Sequence, residues 1–160
     1  MKTIFLSLGI ALITFSAPDQ QRKFDDFSAE FVKGYKALNL PQLELSYASG
    51  FKHIQSADSV QKQLDFFGKI KTLLAFYKEN ELTASQKTDY ELIRYETSLN
   101  LERIALERQW LNERPVQISN GGIITISNGK AWYAYLLKRW VGDDVTPDQS
   151  YQFGLGEVNR

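Results

Sequence analysis

His53 is the single imidazole in 160 residues, and the chain has no cysteine. An imidazole serves as metal ligand or general base when a second group fixes its tautomer and orientation. The nearest acids, Glu44 and Asp58, form neither a His-x-x-x-His nor a His-Glu-x-x-His spacing with it, so His53 reads as a surface or half-buried histidine. Thiol nucleophiles, disulfides, Cys/His zinc sites and any triad needing more than this one ring are excluded by composition. The carboxylate pairs Asp25-Asp26 and Asp143-Asp144 could share a proton or a cation. Adjacent acids diverge on a helix and are solvated in a glycine-containing loop, so both pairs read as solubilising. Gly121-Gly122 lacks the lysine and hydroxyl that complete a phosphate loop, and Gly154-x-Gly156 follows no strand. The aromatic stretch from Asn128 to Trp140 has two readings: a groove for a peptide or sugar, and plain core packing. Its spacing at Trp132, Tyr135, Leu136 and Trp140 favours the core. Taken alone, these residues name no reaction.

The elements that would position them are mostly helical. From Asp19 to Leu38, Phe24, Phe27, Phe31, Tyr35 and Leu38 recur every three or four residues, the spacing of one helix face, and Pro41 closes the element. Leu43, Tyr47, Phe51 and Ile54 also suit a helix, although Leu43, Leu45 and Tyr47 alternate as a strand would. Asp58, with Gln61 three residues on, is expected to cap a helix carrying Val60, Leu64, Phe67, Leu74 and Tyr77. Thr83 and Gln86 form a second capping box, and no glycine or proline interrupts the chain from there until Pro115. This predicts a helix of roughly 28 residues, about 42 Å long. One stripe on it is Tyr90, Ile93, Thr97, Leu101, Ile104 and Leu111; Leu92, Tyr95, Leu99, Leu106 and Trp110 add a second apolar face, so the helix should be packed on both sides. Glu91 with Arg94 and Arg103 with Glu107 read as solvated surface pairs worth a few tenths of a kcal/mol.

Beyond Pro115, Val116 and Ile118 face Ile124 and Ile126 across Asn120-Gly121-Gly122, a strong hairpin signal. A helix from Lys130 to Val141 and a last one opened by Thr146-Pro147-Asp148-Gln149 follow. The fold class is mainly α: a helical array with one long central helix and a small β-hairpin, part of a larger helical domain. No internal repeat or low-complexity tract is present.

Hydrophobic residues make up 43% and charged residues 24%, with 19 basic against 19 acidic side chains. That balance provides no field to gather nucleic acid or an anionic membrane. Met1-Lys2-Thr3 precedes an apolar run from Ile4 to Phe15, too short for the roughly 20 residues of a membrane span and suited to a secretory leader. Thr14 and Ser16 supply small residues for cleavage before Ala17. Residues 1–16 are therefore expected to be a signal peptide and 17–160 the mature helical region, exported to the periplasm or beyond. Its removal leaves no stable membrane span and a charge balance of −1. With no cysteine after the apolar run, a lipoprotein anchor is excluded.

Three stretches carry a family likeness. They are Tyr47-Ala-Ser-Gly-Phe51 ahead of Ser59; Leu82-Thr-Ala-Ser-Gln-Lys-Thr-Asp89 running into Tyr90-Glu-Leu-Ile93; and Gly129-x-x-x-Tyr133 followed by Val145-Thr-Pro-Asp-Gln149 and Gly154-Leu-Gly-Glu-Val158. Together they resemble the N-terminal region of the exported bacterial family catalogued as domain of unknown function 885. Members of that family are long helical proteins that resemble zinc-dependent peptidases, with a His-Glu and Pro-Gly-His segment beyond the equivalent of Val158. The resemblance implies zinc and a peptide substrate for full-length relatives. It assigns no catalytic, cofactor or metal residue to this chain, which would supply scaffold and part of a substrate cleft without being active alone. The candidate cleft residues are Ile124, Ile126, Gly129 and Tyr133. A different function remains open on the same residues: a complete periplasmic helical binding module without chemistry.

Overall fold

The computed structural model describes residues 17–43, 48–113 and 122–160; the expected signal peptide, positions 44–47 of the Leu43 to Ile54 segment and the Val116 and Ile118 arm of the expected hairpin lie outside them. Helix α1 spans Ala17–Ala37, α2 Ala57–Leu74, α3 Ala84–Glu113, α4 Gly129–Trp140 and α5 Pro147–Val158. Short 3-10 turns cover Ala48–His53, Glu79–Glu81 and Ile123–Thr125.

The apolar spacing of α1 and α2 does what its period requires. Phe24, Phe27 and Phe31 of α1 are buried with Val60, Phe67, Ile70 and Leu74 of α2 and with Ile93 and Ile104 of α3. Phe24 meets Tyr77 edge to face at 5.2 Å between ring centroids, one of the preferred aromatic geometries. The opposite face of α3 builds a second core, where Leu99 and Trp110 pack with Phe51, Ile123, Trp132, Tyr135 and Leu136. The long helix is thus sandwiched as its two apolar faces predict. Phe51 links the parts of this second core, lying 4.6 Å from Trp132 and 5.0 Å from Trp110 between centroids.

Local signals set the ends. Asn39 adopts a left-handed φ of 46° just past α1, a conformation asparagine tolerates after a helix. Both glutamine capping boxes form: Thr83 and Gln86 exchange side chain to backbone bonds of 3.3 and 3.1 Å, and Thr146 and Gln149 do the same at the start of α5. The cap of α2 is Ser56 rather than Asp58; Ser56 Oγ accepts from the Ser59 amide at 3.3 Å, which leaves Asp58 in the first turn, where its charge suits the helix N-terminus.

Two further expectations are corrected. The segment before α2 contains a six-residue 3-10 turn, Ala48–His53, in place of an α-helix. The described arm of the expected hairpin, which carries Ile124 and Ile126, is not a strand, and among the described residues there is none. The Gly122 carbonyl accepts both the amide (2.9 Å) and the hydroxyl (2.7 Å) of Thr125, which curls Ile123–Thr125 into a tight turn that buries Ile123 in the second core. Gly129 explains why that turn lies so close to α4. A Cβ built there would fall 2.9 Å from Ile124 Cα and nearer still to the Ile123 carbonyl oxygen.

Gly129→Ala should therefore cost about 1–3 kcal/mol, since backbone must move to admit the methyl group. Gly68→Ala, in the middle of α2 with nothing within 4 Å of the added atom, should instead stabilise by about 0.5–1 kcal/mol. Denaturant melts of the two variants beside the parent test both signs, and a stable Gly129→Ala would refute the close approach.

Candidate functional site

Between its two apolar faces, α3 carries Glu96, Asn100, Arg103 and Glu107, spaced by four, three and four residues and therefore aligned in one stripe. The stripe points inward. Arg103 is 2% exposed, Glu107 0% and Asn100 4%, beside Gln63 of α2 at 1%. The Arg103 guanidinium donates to Glu107 Oε1 at 2.5 Å, to Gln63 Oε1 at 2.6 Å and twice to Asn100 Oδ1 at 3.2 and 3.3 Å. Gln63 Nε2 donates to Gln55 Oε1 (2.9 Å), whose own amide donates to the Asn39 carbonyl (2.7 Å). The Arg103–Glu107 pair, expected to be solvated, is thus the most deeply buried ion pair among the described residues. Glu91 and Arg94 do form the exposed surface pair that was expected.

The network is not fully closed. Glu107 Oε2 is buried without a hydrogen-bond partner. Burial pushes the Glu107 carboxyl above its ordinary value, against the opposing pull of Arg103.

At its other end the stripe reaches solvent through Glu96. Its Oε1 accepts from Arg139 of α4 at 2.6 Å, and its Oε2 accepts from the Tyr35 hydroxyl at 2.9 Å and from Asn100 Nδ2 at 3.2 Å. Around this cluster opens a cleft in two adjoining lobes, of about 370 and 280 Å³, bounded by the Asn39–Leu43 segment on one side and by α3 and α4 on the other. Tyr95, Leu136 and Trp140 wall the larger lobe; Lys36, Asn100 and Arg103 wall the smaller; Pro41, Gln42, Tyr135 and Arg139 are common to both. Trp140 Nε1 donates to the Leu43 carbonyl (3.2 Å), which pins the segment to α4. Tyr135 is 3% exposed, and its hydroxyl has no hydrogen-bond partner among the described residues. Burial raises its pKa to about 12, so the phenol keeps its proton and remains a donor.

Of the aromatic stretch that the sequence offers as a groove, Tyr135, Arg139 and Trp140 line this cleft; the four candidate cleft residues do not. Ile124 is exposed at the 3-10 turn, Ile126 packs against the second core, and Gly129 is buried as a packing position. Tyr133 packs on the same core and also lines a separate open groove of about 500 Å³ with Pro147, Tyr151, Gly154, Leu155 and Val158. Ile124 and Gly129 are thus in close contact, and Ile126 and Tyr133 pack on the same core. His53 is exposed at the end of its turn. Asp25 accepts from Gln86 Nε2 at 2.7 Å, a fastening of α1 to α3, and Asp143 and Asp144 lie exposed in a turn. Among the described residues no three His, Cys, Asp or Glu side chains converge as a metal site would require, and no helix is long and apolar enough to cross a membrane. Sequence reasoning missed the cleft's floor because Glu96 and Asn100 belong to no motif and Arg103 reads with Glu107 as a solvated pair. The signal was the polar stripe flanked on both sides by apolar ones.

Comparisons with protein-family models, with curated proteins and with solved structures find no match.

Removing one partner of the buried pair strands a charge, so Glu107→Ala should cost about 3–5 kcal/mol at neutral pH, while the double change Arg103→Met with Glu107→Leu should recover most of that loss. Because the native Glu107 pKa is raised, the folded state holds its proton more tightly than the unfolded chain. The resulting contribution to stability is present below the ordinary glutamate range and is lost as pH rises through the folded value. The stability of the parent relative to Glu107→Gln should accordingly fall with rising pH, as measured by urea melts across pH 4 to 8; an opposite slope would show that Arg103 outweighs burial.

Proposed function

We propose that this chain acts by binding: it is a helical module of an exported protein whose cleft beside the Asn39–Leu43 segment takes a small ligand, the chain itself making and breaking no bond. The observation that carries this reading is the unpartnered Tyr135 hydroxyl at a concave surface whose neighbouring side chains are already locked by hydrogen bonds. Concave, largely preformed sites with a few convergent polar groups are where proteins hold small molecules. Tyr35, Glu96, Arg139 and Asn100 position one another, so a ligand would meet a surface with little left to order.

A second reading is favoured by the groove between α4 and α5. There Tyr133 stands with Tyr151, Leu155 and Val158, aromatic and aliphatic groups that could hold an extended peptide. In that reading the chain is scaffold within a metallopeptidase-like protein, and zinc and the catalytic groups are supplied by segments outside residues 1–160.

Backbone amide spectra of the isolated chain, recorded against a small-fragment library and against apolar decapeptides, separate the two. Fragment-induced shifts clustered on Tyr35, Glu96, Tyr135 and Arg139 are the expected result. Peptide-induced shifts confined to Tyr133 and α5 would favour the scaffold reading, and peptide hydrolysis by the purified chain would refute both.

A further inference from the structure

We infer that the ligand of this cleft is a small organic carboxylate with an apolar body, a choice that rests on the cleft being a ligand site. The argument is an inventory of donors and acceptors. Three cations, Lys36, Arg103 and Arg139, line the two lobes against one carboxylate, Glu96. Both Glu96 oxygens are engaged, one by Arg139 and the other by Tyr35 and Asn100. Asn100 Oδ1 is occupied by Arg103, the Asn39 carbonyl by Gln55 and the Leu43 carbonyl by Trp140. The one charged acceptor is therefore committed, leaving only the neutral side-chain amides of Asn39 and Gln42, while charged and hydroxyl donors are left over. Tyr135 offers a protonated hydroxyl, and Lys36 has no carboxylate partner among the described residues. An entering cation would meet like charge and no uncommitted carboxylate. An entering carboxylate would gain charge-assisted bonds from the ammonium and the phenol, which are stronger than neutral ones.

The second half of the ligand follows from the walls. The larger lobe is bounded by Leu43, Tyr95, Leu136 and Trp140, surfaces that reward burial of an apolar group and gain little from a bare inorganic anion. At about 370 Å³ it is near the small end of ligand pockets, suited to a single ring or a short chain. Head and body would occupy adjacent lobes, meeting at Tyr135 and Arg139, which belong to both.

Isothermal titration of the full chain with phenylacetate, hexanoate, phenylacetamide, phenethylamine and inorganic phosphate tests the assignment. Phenylacetate or hexanoate is expected to bind with one-to-one stoichiometry at least tenfold more tightly than the amide, the amine or phosphate. Lys36→Gln and Tyr135→Phe should each weaken that binding threefold or more without lowering the melting temperature, and Lys69→Gln on α2, outside the cleft, should leave it unchanged. Equal affinity for acid and amide, or preference for the amine, would overturn the carboxylate while leaving the cleft a ligand site. Preference for phosphate would overturn the apolar body. No binding by any probe would overturn the cleft reading together with this one.

Discussion

A guanidinium taken out of water is the constraint around which this chain is arranged. Desolvating Arg103 is tolerable only if its fork is met by acceptors in the right places, and these come from different parts of the chain: Glu107 and Asn100 from its own helix, Gln63 from α2. Gln63 is in turn tied through Gln55 to the backbone at Asn39, where α1 has ended. The register of α2 on α3 and the path of the chain leaving α1 are thus set by one buried charge. Apolar packing is forgiving of small slips, whereas a guanidinium that loses Gln63 would be left with an unmade bond in a low-dielectric seam. The two cores lie on either side of this seam, and the polar stripe keeps them from merging.

The cleft is where the same seam reaches water. Glu96 is the last member of the stripe, only part-buried, and the groups that satisfy it, Tyr35 from α1 and Arg139 from α4, come from opposite sides of the central helix. Burial raises the Tyr35 hydroxyl pKa, and its bond to Glu96 adds to the effect, so it stays a donor to that carboxylate. Structural and candidate functional polarity are therefore continuous. The interior network holds the walls, and its outer members face the solvent.

Much of the architecture was legible because it follows from periodicity and capping chemistry, which are local. Phe24, Phe27 and Phe31 at helical spacing, the paired faces of α3, and the two Thr/Gln boxes could be read without knowing what packs where. Legibility failed where a choice depended on distant partners. Ser56 and Asp58 are both good capping residues, and which one ends the extended segment is decided by the preceding turn. Ile118 and Ile126 around two glycines match a hairpin, but the burial of Ile123 in the second core and the close pass at Gly129 hold Ile123–Thr125 in a 3-10 turn. Arg103 and Glu107 look like any i,i+4 surface pair, and only the presence of apolar stripes on both flanks indicates that the side between them has no water to face. The cleft inherits that difficulty, since Tyr35, Glu96 and Arg139 are separated by 61 and 43 positions and have no motif to announce them.

The two concave surfaces differ in what occupying them would cost. α5 has no buried residue; Tyr151, Phe153 and Val158 are all exposed, and the helix packs against α4. Neither core contains any of its side chains. A partner seated on α5 would be held by apolar contact alone, less the cost of ordering the partner's own chain. The cleft's polar walls are instead fastened to α1, α3 and α4 by bonds already made in the free chain. A ligand there needs only to exceed its own lost freedom and desolvation, so a molecule too small to hold α5 could still be held beside Tyr135.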